Sequence, residues 1–93
     1  MRYVVESYMQ QASGDALADV ETAAQAAASA LTTDGEWIEH VRSTFVSDDE
    51  MCFHVFDAGS PNTVARASIA AGLDPIRIVT ALETGLTDKT PTR

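Results

Sequence analysis

The chain is 93 residues long and carries 14 acidic side chains against 6 Lys and Arg, a net charge of −8 at neutral pH, with a hydrophobic content of 45%. Between the roughly 60 residues at which a domain is marginal and the 150 at which about 70% of the surface is buried, this length supports one modest core and excludes a second domain; the composition is that of an ordinary globular chain. The excess of carboxylates repels phosphate backbones and anionic lipid, so neither nucleic acid nor membrane is an expected partner.

Tyr3 to Tyr8 alternates and is rich in β-formers, and small polar residues from Gln10 to Gly14 break it, which predicts a strand and a turn. From Asp15 onward Leu17, Val20, Ala24, Ala27 and Leu31 recur at steps of three and four, one stripe of a helix. Asp15 and Asp19 stand at or near its first turn, where the helix dipole favours carboxylates, and Thr32-Thr33-Asp34-Gly35 ends it. Its many alanines present little bulk, so the helix is expected close against a sheet. Trp37 to Ser47 and Met51 to Asp57 predict two further strands joined at Asp48-Asp49-Glu50. Ser60-Pro61 is a capping hydroxyl before a proline at the first helical position, and that second helix runs to about Ala71. Gly72 suits the C′ position, Leu73 the accompanying apolar contact and Pro75 the stop. Ile76 to Leu82 is the last strand; a single domain over residues 1–86 is expected, then a flexible polar tail over 87–93.

Strand, helix, strand, strand, helix, strand is the ferredoxin-like βαββαβ arrangement, an α+β fold. Right-handed crossovers put the first and third strands at the centre of a four-stranded antiparallel sheet, order 4-1-3-2, with both helices on one face and the other face bare. A hairpin with Ser47 opposite Glu50 sets Phe45 opposite Cys52, Ser43 opposite His54 and Val41 opposite Phe56. Met51, Phe53 and Val55 are uniformly apolar and are assigned to the helix side with Thr44 and Val46, which sends those six residues to the bare face. Tyr3, Val5, Ile76, Ile78 and Leu82 are expected inward; Val4, Glu6, Tyr8, Arg77, Val79 and Ala81 outward. The bare face then collects Val4, Tyr8, Val41, Phe45, Phe56 and Val79, an apolar patch that a sheet-on-sheet homodimer would hide.

Glu6, Ser43, Cys52, His54 and Arg77 are the polar groups of that expected face, and adjacent central strands would bring Glu6 within reach of His54. Imidazole and carboxylate suit nickel, zinc or iron, and the Cys52 thiolate could join them. His40, the second of two histidines, is directed to the helix side unless a bulge re-aims it. Each residue also has a structural reading: a hydrogen-bonded histidine, a Glu6–Arg77 cross-strand pair, a buried cysteine acting as a small hydrophobe. The sequence has no Gly-rich phosphate loop, Gly-x-Ser-x-Gly elbow, His-Glu-x-x-His or EF-hand spacing, so no catalytic residue is assigned. The enzyme alternative is a dimeric barrel-like module holding a small molecule in the cleft beneath the open face, with Glu6 and His54 as acid and base. Glu6 interrupts any early apolar run, Ala23 to Leu31 is too short to span a bilayer, and one cysteine makes no intrachain disulfide; a cytoplasmic protein is expected.

Three stretches carry a family resemblance: Arg2-Tyr3-Val4-Val5-Glu6-Ser7-Tyr8, Thr44-Phe45-Val46-Ser47-Asp48-Asp49, and Phe53-His54-Val55-Phe56-Asp57-Ala58 followed by Ser60-Pro61. With Gly72-Leu73 before the last strand, they resemble the small actinobacterial nickel-binding ferredoxin-like proteins, long catalogued as a domain of unknown function. The likeness runs from about residue 2 to 83 and implies a ferredoxin-like homodimer that binds nickel or another divalent transition metal and sequesters it. Glu6 matches the family's first-strand glutamate, whereas the family pattern favours Cys where this chain has His54 and often His where it has Ser43. His54 and Glu6 are thus the leading ligand candidates, with His40 and Cys52 as further donors that no residue match supports.

Overall fold

A computed structural model describes residues 1–9 and 14–82. Its elements are β1 (Arg2–Tyr8), α1 (Gly14–Thr33), β2 (Ile38–Val46), a short 3-10 turn (Ser47–Asp49), β3 (Met51–Ala58), α2 (Pro61–Ala70) and β4 (Pro75–Thr80). The strands form one antiparallel sheet in the order β2-β3-β1-β4, the expected ferredoxin-like topology. The expected tail over 87–93 and the turn residues 10–13 lie outside the described residues.

Local chemistry sets the helix ends. Ser60 Oγ accepts a hydrogen bond from the Thr63 N–H at 3.3 Å, with Pro61 opening α2. Gly72, at φ 75°, closes it: the Gly72 N–H donates to Ile69 O and the Leu73 N–H to Ser68 O, both at 3.0 Å, while Leu73 is buried. Ala24, Ala27 and Ala28 of α1 are buried, and their small side chains let the helix sit close to Tyr3, Val5, Ile38 and Phe56 of the sheet. None of the described helices is long and apolar enough to cross a membrane.

The hairpin pairing follows the expected register over Val46–Met51, Phe45–Cys52 and Ser43–His54, and Glu50 completes the turn at φ 52°. Beyond it the register slips. Val41 is the extra residue of a bulge, so His40, not Val41, stands opposite Phe56.

On β1, Tyr3 and Val5 face the helices as expected, but the expected assignment of faces is reversed for the β2–β3 hairpin. Tyr3 pairs with Phe56, Val5 with His54 and Ser7 with Cys52, so Cys52, His54, Phe56, Ser43 and Phe45 lie under the helices with Tyr3 and Val5. Met51, Phe53 and Val55 occupy the open face instead. β3 is a central strand with apolar side chains on both faces, and its own alternation cannot say which side is covered. The cross-strand partners of β1 decide it. On β4, Ile78 packs on the core as expected, whereas Ile76 is 61% exposed, and Leu82, beyond the end of the strand at Thr80, is 93% exposed.

Candidate functional site

β1 and β3 run antiparallel with alternating side chains, so Ser7 and His54 both enter the space beneath the helices. His54 is 1% exposed and Ser7 3%. The His54 ring is held at both nitrogens: Nε2 lies 3.0 Å from Ser7 Oγ and Nδ1 2.7 Å from Ser43 Oγ. Ser43 Oγ is also 2.9 Å from Nε2 of His40, which the Val41 bulge returns to this side and which meets Phe56 edge-on. The four side chains form one polar chain through an apolar layer, Ser7 to His54 to Ser43 to His40. Cys52 Sγ stands 4.0 Å from His54 Nδ1.

Each hydroxyl has one proton to donate, and with the Ser43 proton used inside the chain the neutral rings allow two directions. Either His40 Nε2–H donates to Ser43, Ser43 to His54 Nδ1 and His54 Nε2–H to Ser7, or every donation runs the other way. His40 Nδ1 terminates the chain, buried and without a hydrogen-bond partner.

Burial keeps both rings neutral. Desolvation, with the charge of His40 as a smaller contribution, pulls His54 down to about 4. Desolvation also lowers His40, partly offset by the Glu21 carboxylate and the Arg42 backbone, and burial pushes the Cys52 thiol up. Neutral imidazoles keep a lone pair for a proton, a hydrogen bond or a metal ion.

Clefts flank the chain at both ends. One, about 130 Å³, is bordered by Ser7, His54, Val20 and Leu73. The other, about 450 Å³, lies between α1 and β2 and is bordered by Gln25, Ser29, Thr32, Trp37, Glu39 and His40.

Of the expected ligands, the structure gathers His40, His54 and Cys52 and separates Glu6. Glu6 pairs with Phe53 on the open face, where its Oε2 accepts a hydrogen bond from Arg77 Nε at 2.9 Å. The sheet therefore stands between Glu6 and His54, and the two do not share a site. Among the described residues no group of three His, Cys, Asp or Glu is arranged to hold a metal ion. Ser43 faces His54 as the sequence reading expected, and Ser7 is the part that it missed. Ser7 has the parity of Tyr3 and Val5, and a serine in a buried strand position needs a partner, which was the available signal.

No family model matches the chain, and no curated protein matches it. Among solved structures, the crystal structure of SCO4226 from Streptomyces coelicolor A3(2) aligns with a TM-score of 0.74 at 14% identity, covering 91% of this chain and 100% of that one. At that identity the likeness establishes the architecture, and the chain has a ferredoxin-like fold.

Proposed function

We propose that the protein is a small homodimeric module that sequesters a divalent transition metal, with nickel favoured by the family resemblance of its sequence motifs. The supporting observation is convergence: His54 Nδ1 and His40 Nε2 both lie within 3 Å of one atom, Ser43 Oγ, and Cys52 Sγ is the next donor beside His54. Two neutral imidazoles and a thiol are a borderline-soft donor set suited to nickel or zinc. As arranged, the serine hydroxyl occupies the point of convergence, so metal entry requires Ser43 to turn aside and Cys52 to lose its proton.

Dimerisation uses the open sheet face, whose apolar centre is Val4, Phe53, Val55 and Val79. Arg2–Asp57 and Glu6–Arg77 ion pairs flank that centre and supply a polar rim. Native mass measured beside a Val79→Lys variant tests this: a dimer that becomes a monomer is expected, and a monomeric native chain overturns it.

The metal reading is tested by nickel titration of metal-free protein followed by elemental analysis. Stoichiometric uptake is expected in the native chain and in Glu6→Ala, with loss in His54→Ala and marked weakening in His40→Gln. Full occupancy in both histidine variants overturns the assignment.

A further inference from the structure

The two serines of the buried chain are not equivalent. Ser43 Oγ meets two imidazoles at once, 2.7 Å from Nδ1 of His54 and 2.9 Å from Nε2 of His40, whereas Ser7 Oγ holds Nε2 on the far side of the His54 ring at 3.0 Å. A zinc-sized ion bonds an imidazole nitrogen at about 2.0–2.1 Å and approaches along its lone pair, the direction each hydrogen bond already takes. Set on those two nitrogens, the ion would stand closer to Ser43 Oγ than any metal–oxygen bond allows, so ion and hydroxyl exclude each other. The serines also differ in freedom. Ser7 lies on the central strand β1 and is 3% exposed, while Ser43 lies on the edge strand β2 and is only half-buried. A rotation about one bond can therefore hand the Ser43 hydroxyl from the ring nitrogens to water, a move closed to Ser7.

We propose that Ser43 is a built-in competitor for the metal: its hydroxyl stands in the ion's place, satisfies both rings in the metal-free chain, and so sets the concentration at which the site fills. The inference rests on the metal reading of this site and adds its regulation. To take the ion, both rings must turn lone pairs inward, His54 with its proton on Nε2 against Ser7 and His40 with its proton on Nδ1. Ser7 thus keeps its bond to His54 when the ion enters, and Ser43 loses both of its own.

Nickel is titrated into the chelator-treated native chain, Ser43→Ala and Ser7→Ala, with circular dichroism confirming the fold. Ser43→Ala should keep the native stoichiometry and bind about tenfold tighter, because the hydrogen bonds that oppose the ion are gone. Ser7→Ala should bind no tighter than the native chain. The thermal midpoint of Ser43→Ala should fall below the native one without metal and recover toward it on saturation; a serine with a merely structural role would lower both alike. Native binding that Ser43→Ala leaves unchanged or weakens overturns the competitor and spares the metal reading. Equal tightening in Ser7→Ala overturns it as a general loosening of His54. Binding confined to Ser43→Ala supports it while refuting sequestration by the native chain, and no binding in either overturns both. The native chain loaded with diamagnetic zinc gives a reading free of any substitution. Nitrogen-15 shifts that place the ion on Nδ1 of His54 and Nε2 of His40 support the proposal, and an ion on Nε2 of His54 overturns it.

Discussion

The two faces of the sheet handle polarity in opposite ways. On the covered face, polar groups are neutral and chained to one another: two imidazoles and two hydroxyls cross an apolar layer without a full charge. On the open face they are ionised and paired across strands, Arg2 with Asp57 through two hydrogen bonds of 2.8 and 2.9 Å, and Glu6 with Arg77. Desolvation accounts for the difference. Under the helices a charge costs several kcal/mol, so protons are expelled and hydrogen bonds remain; facing water, a charge is cheap and a neighbouring counter-ion suffices.

The largest expected effect tests which face is covered. Phe56 is wholly buried and Phe53 only partly, so Phe56→Ala should cost about 3–5 kcal/mol and Phe53→Ala in the monomer less than half of that, read by urea denaturation. Equal costs would erase the distinction.

Acid separates the faces next. His54 is lowered in the folded chain from an ordinary 6.5 to about 4, so the unfolded chain takes up a proton first. Stability is therefore complete above about pH 6.5, falls as pH drops toward 4, and the loss approaches about 3 kcal/mol by linkage. His54→Gln should flatten that segment. On the open face Arg2 holds the Asp57 carboxyl below its ordinary 3.8, so that pair loses its contribution only as pH falls beneath that value. One acid-denaturation series on both His54→Gln and Asp57→Asn resolves the two windows; coincident windows would contradict the assignment.

Smaller effects come from single links. Ser43→Ala strips a partner from both rings and should cost about 2 kcal/mol, and Ser7→Ala, which breaks one link, about 1 kcal/mol, both read as shifts in thermal midpoint. Smallest of all, Arg77→Ala removes a pair in which the arginine side chain is 64% exposed, and should change stability by under about 1 kcal/mol, vanishing in high salt.

Much of the framework was legible from residue order. Ser60-Pro61, Gly72-Leu73 and the alanine stripe of α1 act over a few residues each, so their reading transferred directly to the helices. The hairpin pairing of Ser43 with His54 was legible too, because a short turn sets register locally. The candidate site was only half legible: its histidines and cysteine stood out, but Glu6 was wrongly grouped with them and Ser7 was overlooked. Both errors follow from one inversion. In β3 the residues of either parity can be buried, so pattern alone favoured the apolar Met51, Phe53 and Val55 for the side that in fact holds Cys52, His54 and Phe56.

By itself the sequence determined the element order, the caps and hence the sheet topology, since helix ends, turns and crossover handedness depend on nearby residues and chain connectivity. Tertiary structure alone decided which face the helices cover and what the polar residues meet there. Pairing of β1 with β3 and the bulge at Val41 are the interactions responsible. They join residues distant along the chain or add one residue to a strand, and a period-two pattern records neither. A one-residue slip exchanges the two faces, and with them a paired ion for a neutral imidazole.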